Sequence, residues 1–178
     1  SVTGHGQPLL APAASPRFDY EAELAAVIGR RGRNIPAAAA LDHVAGYTLF
    51  NDGSIRDFQL ERGPQWTMGK NFDRTGALGP VLVTPDELPP GGRGLAIRAR
   101  VNGRLLQDGN TADMVFGVAD LIAYVSTAMT LEPGGVIAPG APAGGGFAPN
   151  PPVFLRAGDI CEIEVEGIGT LRNPVEAG

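Results

Sequence analysis

Apolar and polar residues alternate over several short stretches of the chain, in the pattern typical of β-strands rather than long helices. Residues 18–24 alternate Phe, Tyr, Ala and Leu with three carboxylates, and residues 161–166 alternate in the same way. Because alternate side chains of a strand point to opposite faces of a sheet, both stretches predict strands with one acidic face. Apolar residues 47–50 and residues 79–83 predict two further short strands.

Two longer segments carry the capping and spacing signals of helices. Asn34, an N-cap candidate, is followed by a proline and an alanine run that stops near Gly46, which predicts a short helix. Residues 54–62 predict one or two helical turns. The longest helix is predicted to begin with Thr111 as N-cap and Asp113 in its first turn. Its apolar side chains share one face at helical spacing: Met114, Val115, Val118, Leu121, Ile122, Val125 and Met129.

Glycine and proline mark the turns. Asn102-Gly103 separates two alternating stretches and predicts a hairpin. Residues 132–152 are dense in glycine and proline, which favours a loop with unusual backbone dihedrals or a close approach to another group. Two apolar residues, Val136 and Ile137, indicate a short strand that leads into this loop. The whole pattern favours a mostly β domain with few helices.

Composition excludes several classes of protein. A chain of 178 residues that is 43% hydrophobic can bury the core of one domain. The net charge is −5 and the arginines are scattered, so we expect no nucleic-acid partner. No apolar run reaches the roughly 18 residues of a transmembrane helix, so we expect no membrane span. The single cysteine cannot form an internal disulfide, which favours a cytoplasmic protein.

Familiar catalytic motifs are missing. Position 64 is proline and Lys70 is followed by Asn71, so Lys70 does not belong to a phosphate-binding loop. No serine lies in a G-x-S-x-G turn, and no G-x-G-x-x-G opens a helix. Two histidines and one cysteine are too few for a standard zinc site, and His43 is interpreted as a partly buried structural histidine. Carboxylates remain as the candidate chemistry.

Two acidic stretches compete for that role. Glu21 and Glu23 are two residues apart on a predicted strand, so their carboxylates share one face about 6–7 Å apart along the backbone and suit a hard cation. Glu162, Glu164 and Glu166 have the same spacing, but they alternate with apolar residues as the solvated face of a sheet does. A bare pair of this kind is more often a solvated face, so spacing alone leaves both interpretations open.

Eight segments in a fixed order resemble the C-terminal catalytic domain of the fumarylacetoacetate hydrolase family. They are DYEAELAAVIG, YTLFNDGSIRDFQ, PQWTMGKNFD, LGPVLVTPDE, VNG, DMVF, LEPGGVIAPGAPAG and GDICEIEVEGIGTLRNPV. Their order and spacing, over roughly residues 18 to 175, make the resemblance more specific than any one segment. It implies a mainly β (α+β) fold, a mixed β-sandwich or roll with a few packed helices, and a homodimer.

The resemblance assigns metal binding to Glu21, Glu23 and Asp52, as a three-carboxylate site for Mg²⁺, or for Mn²⁺ or Ca²⁺. Three carboxylates repel one another without a cation, and one divalent ion neutralises most of their charge. Lys70, the only lysine among 14 Lys and Arg residues, matches the family's active-site lysine. This match implies a catalytic and a substrate-binding role, because a compact ammonium meets a substrate carboxylate or a developing enolate oxygen.

Arg56, Gln59 and Ala141 are implied as further substrate-binding residues. Arg56 and Gln59 lie within one helical turn of each other, while Asp57 is interpreted as a surface or ion-pair residue. The family usually reads Gly-Thr-Pro where this chain has Gly140-Ala141-Pro142, so the threonine hydroxyl is missing. The backbone amides of the loop remain to bind a substrate carboxylate.

The implied function is that of a metal-dependent hydrolase. It would cleave a C–C bond in a diketo acid of aromatic catabolism, an acylpyruvate or a fumarylacetoacetate-like compound, through an enolate. Hydrolytic members carry a histidine and a glutamate on an N-terminal lid, and nothing before Phe18 resembles it. Residues 1–17 are therefore expected to be a tail left from such a segment, with 18–178 as the catalytic domain. The alternatives are a decarboxylase or isomerase of an oxaloacetate-like 2-oxo acid, or a catalytically silent metal-binding fragment.

Overall fold

A computed structural model describes residues 1–178 and contains twelve strands, three α-helices and five short 3₁₀ helices. The strands are Val2–Gly4 (β1), Leu9–Ala11 (β2), Phe18–Asp19 (β3), Ala22–Ile28 (β4), Val44–Asn51 (β5), Ser54–Ile55 (β6), Gly76–Val83 (β7), Ala96–Val101 (β8), Arg104–Asn110 (β9), Val136–Ile137 (β10), Ile160–Val165 (β11) and Gly169–Ala177 (β12). The α-helices are Ala37–Ala40 (α1), Arg56–Leu60 (α2) and Val118–Ala128 (α3). The 3₁₀ helices are Leu41–His43, Trp66–Lys70, Pro85–Glu87, Pro90–Gly92 and Thr111–Asp113.

Two five-stranded sheets carry most of these strands, in the orders β1-β7-β5-β4-β10 and β2-β12-β11-β8-β9. Neighbouring strands are antiparallel except at one edge of each sheet, where β1 runs parallel to β7 and β2 parallel to β12. The sheets contact each other through β4, β5 and β7 of one and β8, β11 and β12 of the other, and a cluster of 29 buried apolar residues forms the core. The predicted mainly β fold with a few packed helices is confirmed.

Residues 1–17, which were expected to be a tail, contribute one edge strand to each sheet. Leu9 on β2 is fully buried in the core. The side-chain amide of Asn173 donates to the carbonyls of Gly4 and Gln7, at 2.8 and 2.7 Å. The backbone ladder and these bonds hold the segment in place. Neither kind of bond depends on alternating hydropathy, so the sequence pattern did not predict these strands.

The longest helix begins at Val118, so the prediction of Thr111 as its N-cap is wrong. Gly117 is the N-cap in an extended conformation, and the Asp120 side chain accepts a hydrogen bond from its backbone N–H at 3.0 Å. Thr111 instead begins a 3₁₀ helix, and its hydroxyl donates to a backbone carbonyl at 2.6 Å. Val115 lies outside the helix and is 89% exposed, so it does not share the buried face.

The first helix is also shorter than predicted. Pro36, not Asn34, is the N-cap of α1, and Gly46 lies inside β5. Asn34 has a φ of 51°, which lies in the left-handed region, so Asn34 is not part of a right-handed helix. The Asn102-Gly103 hairpin between β8 and β9 is confirmed, with φ values of 52° and 79° that fit a type I′ turn.

The helices are short. The longest of them, α3, has 11 residues, and the structure contains no helix with the length and hydropathy that a membrane crossing needs.

Candidate active site

The ends of β4 and β5 bring three carboxylates together. The two strands pair antiparallel with Ala22 opposite Asn51, so Glu21 and Asp52, which flank this pair, become neighbours. The Asp52 backbone N–H donates to the Glu21 carbonyl at 3.0 Å. Glu21, Glu23 and Asp52 each offer a carboxylate oxygen, and these oxygens lie within 4.8 Å of one another. The spacing of the first two residues follows from the strand, and the third is added by the strand pairing.

Lys70 ends a 3₁₀ helix and directs its ammonium into this carboxylate cluster. Its Nζ donates to Glu21 Oε2 and to Asp52 Oδ2, the latter at 2.6 Å. The neighbouring Gly69 permits this position because it packs directly against α2, where an added Cβ would lie 2.7 Å from the helix backbone. The only lysine of the chain is therefore held between two carboxylates.

Burial and charge together set the protonation of these groups. Burial raises the pKa of Glu21, but Lys70 and the guanidinium of Arg56 more than offset this and lower that pKa overall. Burial lowers the pKa of Lys70, but Glu21 and Asp52 raise it overall. For Asp52, burial outweighs the hydrogen bond from Lys70, and the pKa is raised. Glu21 and Lys70 therefore form a charged pair at neutral pH.

Glu23 has no basic group at hydrogen-bond distance. Its residue is 3% exposed, and its Oε2 accepts a hydrogen bond from the Gly140 backbone N–H at 2.9 Å. Burial, with the nearby charges of Asp52 and Glu21, raises the pKa of Glu23 to about 8. Its carboxyl therefore retains a proton at neutral pH unless another cation is close.

The cluster fits a divalent cation. Lys70 supplies one positive charge to Glu21 and Asp52, while Glu23 keeps a proton because no charge balances it. A divalent ion would supply the missing charge. Glu21, Glu23 and Asp52 would hold Mg²⁺, Mn²⁺ or Ca²⁺, since these hard cations prefer carboxylate oxygens.

Arg56 uses all three of its guanidinium nitrogens within the chain. Nε donates to Asp19 Oδ2, Nη2 to Glu21 Oε1 and Nη1 to Gln59 Oε1, each at 2.7 Å. The residue is 5% exposed, and the Phe147 ring covers it with a centroid 4.4 Å from the guanidinium carbon. Arg56 therefore orients Glu21, and its positive charge is already paired with Asp19 and Glu21, while these three bonds use three of its five N–H groups.

Gln59 keeps a free donor in the cavity. Because Arg56 can only donate, the amide oxygen of Gln59 must face it, which leaves Gln59 Nε2 without a partner in the chain. No buried side-chain polar atom of the structure lacks a partner, so this nitrogen is accessible from the cavity. Gln59 is therefore positioned to donate to a substrate oxygen, and substrate binding by Arg56 stays a prediction.

Asp19 is a functional-site residue that sequence analysis missed. It is fully buried, pairs with Arg56, and accepts hydrogen bonds from the backbone N–H groups of Gly146 and Phe147 at 2.6 and 3.3 Å. It thereby ties the loop after β10 to the segment that carries Glu21. Its place in the alternating acidic stretch was the available signal, but a period of two does not show which face is buried.

Gln107 on β9 was missed as well. Its Oε1 accepts from the Ala22 backbone N–H at 2.9 Å, and its Nε2 donates to the Pro142 carbonyl at 2.6 Å. The Tyr20 hydroxyl adds a bond to the Gly144 carbonyl at 3.2 Å. No sequence signal marks such a tether, because its partners lie far away along the chain.

A cavity of about 490 Å³ opens between the carboxylate cluster and this loop. Every site residue predicted from the sequence lines it, and Ala141 contributes only a methyl group and its backbone. The lining residues are Glu21, Glu23, Asp52, Arg56, Gln59, Leu60, Trp66, Lys70, Ala138, Pro139, Gly140, Ala141 and Phe147.

The second acidic stretch and His43 lie outside the cavity. Glu162 and Glu164 on β11 pair with Arg172 at 3.4 Å and Arg100 at 2.5 Å, so this stretch is the solvated face that was expected. His43 is buried, with its Nδ1 2.9 Å from a backbone carbonyl oxygen, which fits a structural histidine.

Comparison with known proteins places this geometry in a family. The family model described as fumarylacetoacetate (FAA) hydrolase C-terminal matches residues 1–176. The chain is 47% identical over 176 residues to the mitochondrial oxaloacetate tautomerase of Xenopus laevis and 46% identical over 176 residues to that of Homo sapiens. Both matches cover 98% of this chain, and they cover 55% and 56% of the relatives. The chain thus spans little more than half the length of these curated relatives.

Solved structures share the fold over the whole chain. Fumarylacetoacetate hydrolase from Exiguobacterium antarcticum has a TM-score of 0.94 and 42% identity, covering 100% of this chain and 64% of that protein's chain. The 2-hydroxyhepta-2,4-diene-1,7-dioate isomerase from Mycobacterium marinum has a TM-score of 0.89 and 40% identity, covering 99% and 65%. With the family model matched over nearly every residue, the chain belongs to the fumarylacetoacetate hydrolase family.

Proposed function

We propose that this chain catalyses metal-dependent keto–enol tautomerisation of a 2-oxo acid. The supporting observation is that one cavity combines the carboxylate cluster, the Lys70 ammonium and the free amide of Gln59. The carboxylates suit a cation, and the ammonium and the amide can stabilise negative charge on substrate oxygens. Neither histidine of residues 1–178 lines this cavity, so its lining does not offer the histidine–glutamate pair with which hydrolytic members of the family activate water.

The reaction moves one proton from the carbon beside the keto group to the keto oxygen, and negative charge develops on that oxygen. The Asp52 carboxylate, which lines the cavity, can accept the proton from the carbon, and it returns this proton to Lys70 along their hydrogen bond after Lys70 has protonated the oxygen. Lys70 Nζ lies at the cavity wall, stays protonated because Glu21 and Asp52 raise its pKa, and can donate to this oxygen. Gln59 Nε2 donates to a second substrate oxygen and so fixes the orientation of the acid. A divalent cation held by the cluster would act as a Lewis acid toward the substrate oxygens.

The names of the relatives support isomerisation at this site. Two vertebrate relatives are oxaloacetate tautomerases, and the Mycobacterium marinum protein is an isomerase. These proteins are longer than this chain, so the substrate, the preference for Mg²⁺ and a homodimeric state are all part of the proposal. Size-exclusion chromatography with light scattering tests the dimer.

Hydrolysis of a C–C bond in a diketo acid is the second candidate. The matched family model and the Exiguobacterium antarcticum protein are both described as hydrolases. Cleavage of an acylpyruvate or a fumarylacetoacetate-like compound uses the same charge stabilisation and adds an activated water. Decarboxylation of an oxaloacetate-like acid shares the enolate and needs no such water.

The purified chain is incubated with Mg²⁺ or Mn²⁺ and either oxaloacetate or acetylpyruvate, with a chelator as control. We expect metal-dependent equilibration of enol and keto oxaloacetate, read by ultraviolet absorbance, without formation of pyruvate. Pyruvate from acetylpyruvate would support the hydrolase instead, and pyruvate from oxaloacetate would support a decarboxylase. If the chain binds Mg²⁺ in calorimetry but accelerates none of these reactions, the metal site is catalytically silent and the proposal is wrong.

A further inference from the structure

The cavity lining combines carboxylates with large apolar side chains. Glu21, Glu23 and Asp52 form the carboxylate cluster, and three large apolar residues line the same cavity. Leu60, Trp66 and Phe147 line the cavity and remain 55%, 59% and 50% exposed. Apolar side chains of this size that stay half exposed at a cavity mouth leave apolar area that a ligand can remove from water.

The cations that line the cavity are already paired. Arg56 binds Asp19, Glu21 and Gln59 and lies under the Phe147 ring. Lys70 binds carboxylates of the cluster. A second carboxylate on a ligand would therefore meet no unpaired positive charge at the apolar rim, and burying it there without a partner is unfavourable.

The arginines next to α2 are engaged outside the cavity. The Arg62 guanidinium lies 3.5 Å from the Phe58 ring centroid and 3.9 Å from Asp57. Arg17 pairs with Glu61. Neither arginine lines the cavity, so the rim near Leu60 and Trp66 stays apolar and uncharged.

We propose that Leu60, Trp66 and Phe147 form a subsite for an apolar, uncharged substituent of the substrate. The site then binds monocarboxylic 2-oxo acids with an apolar tail more tightly than dicarboxylic acids, so oxaloacetate, which is named for the vertebrate relatives, is a substrate that binds more weakly here. The inference rests on the proposed function, which places the 2-oxo group at the carboxylate cluster.

The magnitude follows from buried area. Each methylene removed from water contributes about 0.8 kcal/mol, which is roughly fourfold in affinity. Lengthening the tail from 2-oxobutanoate to 2-oxohexanoate adds two methylenes and should strengthen binding by about tenfold. The six-carbon dicarboxylic analogue, 2-oxohexanedioate, should bind about tenfold more weakly than 2-oxohexanoate, because its terminal carboxylate loses water without gaining a partner.

The chain contains one tryptophan, so its fluorescence reports the subsite directly. The three acids are titrated into the full chain with Mg²⁺, and Trp66 emission and calorimetric dissociation constants are recorded. 2-Oxohexanoate should shift the emission to the blue as its tail covers the indole, and 2-oxohexanedioate should shift it less. Leu60→Ala should reduce the preference for the longer tail. Met68 is the matched control, because it is 64% exposed, lies two residues after Trp66 and does not line the cavity, so Met68→Ala should leave the preference unchanged.

Binding and turnover separate this inference from the proposed function. A tail preference in binding without turnover would leave the subsite standing and refute the tautomerase. Equal affinity for 2-oxohexanoate and 2-oxohexanedioate, with Trp66 emission unchanged by either, would overturn the subsite. So would a Trp66→Ala variant that binds 2-oxobutanoate and 2-oxohexanoate with the same fractional loss, because the indole would then cover the whole site rather than contact the tail.

Discussion

Replacing Asp19 by asparagine tests whether the buried Asp19–Arg56 ion pair organises the site. Their side chains are 0% and 6% exposed, with Nε and Oδ2 2.7 Å apart. One carboxylate oxygen of Asp19 accepts from the Tyr20 and Gly146 N–H groups, and the other accepts from Arg56 and Phe147. An asparagine has one oxygen, so in either orientation its NH₂ group faces donors.

We expect Asp19→Asn to lower the free energy of unfolding by about 3–5 kcal/mol, because it removes the fully buried one of the two carboxylates that balance a buried guanidinium. Arg56 keeps its bond to Glu21, which places the loss toward the lower end of that range. This is a large part of the roughly 5–15 kcal/mol that stabilises a typical domain. Urea denaturation with an unchanged m-value measures it.

The matched control is the exposed Arg17–Glu61 pair, whose side chains are 46% and 60% exposed. Glu61→Gln should cost less than about 1 kcal/mol, as surface pairs do. Adding Arg56→Gln to Asp19→Asn should recover part of the loss, since it removes the uncompensated charge. If Asp19→Asn alone stays within about 1 kcal/mol of the wild type, the ion pair does not hold the loop and the argument fails.

Four further changes probe the site. Lys70→Ala should cut turnover by about 10²-fold or more in steady-state kinetics, and unchanged activity would remove Lys70 from the chemistry. The pKa of Glu23, about 8, lies above its ordinary 4.5, so without metal the free energy of unfolding should fall as pH rises between these values. Mg²⁺ affinity in calorimetry should increase as pH rises over the same window, because the Glu23 carboxyl must lose its proton to bind the ion. Glu23→Gln should make the free energy of unfolding depend less on pH. Gly69→Ala should destabilise by about 1–3 kcal/mol in urea, and Gly4→Ala, with nothing within 4 Å of its added Cβ, should be near neutral. Ala141→Thr should tighten 2-oxo acid binding about 2- to 10-fold by adding one hydrogen bond, and an unchanged dissociation constant would assign that contact to backbone amides.

Alternating hydropathy was enough to predict the strands. It was not enough to predict which polar side chains are buried, because that depends on residues far away along the chain. Alternation over residues 18–24 predicted a strand with one acidic face, but it did not show that Asp19 and Glu23 would be 0% and 3% exposed. Their burial requires Arg56 and the loop amides at 140 and 146, which are set by the packing of β4 against β5 and β10. These contacts cannot be predicted from the hydropathy of the sequence.

Helix boundaries failed for a local reason. The apolar spacing of residues 114–129 continues through Gly117, but this extended glycine and the Asp120 cap fix the start of α3 at Val118. An aspartate three residues after a glycine was a readable capping signal, and the apolar period outweighed it. Spacing predicts which face of a helix is buried more securely than it predicts where the helix begins.

The residues of the candidate site divide in the same way. Strand spacing placed Glu21 and Glu23 on one face, and family resemblance selected them over the second acidic stretch. Asp52 and Lys70 were assigned by the resemblance alone, since only strand pairing and a 3₁₀ turn bring them close. The sequence did not show that Arg56 orients Glu21. Only the structure shows this role, because it depends on the hydrogen bond between Arg56 and Asp19.

The loop after β10 is held by side chains rather than by a backbone ladder. A loop without a backbone ladder must satisfy its N–H and C=O groups in another way. Here side chains do so: Glu23 and Asp19 accept from loop amides, and Gln107 and Tyr20 donate to loop carbonyls. Three of these four residues lie within five positions of one another, beside or on the strand that carries the carboxylate cluster. The segment that carries two of the candidate cation ligands therefore also holds the loop that lines the same cavity, so we expect a change at Asp19 to alter both.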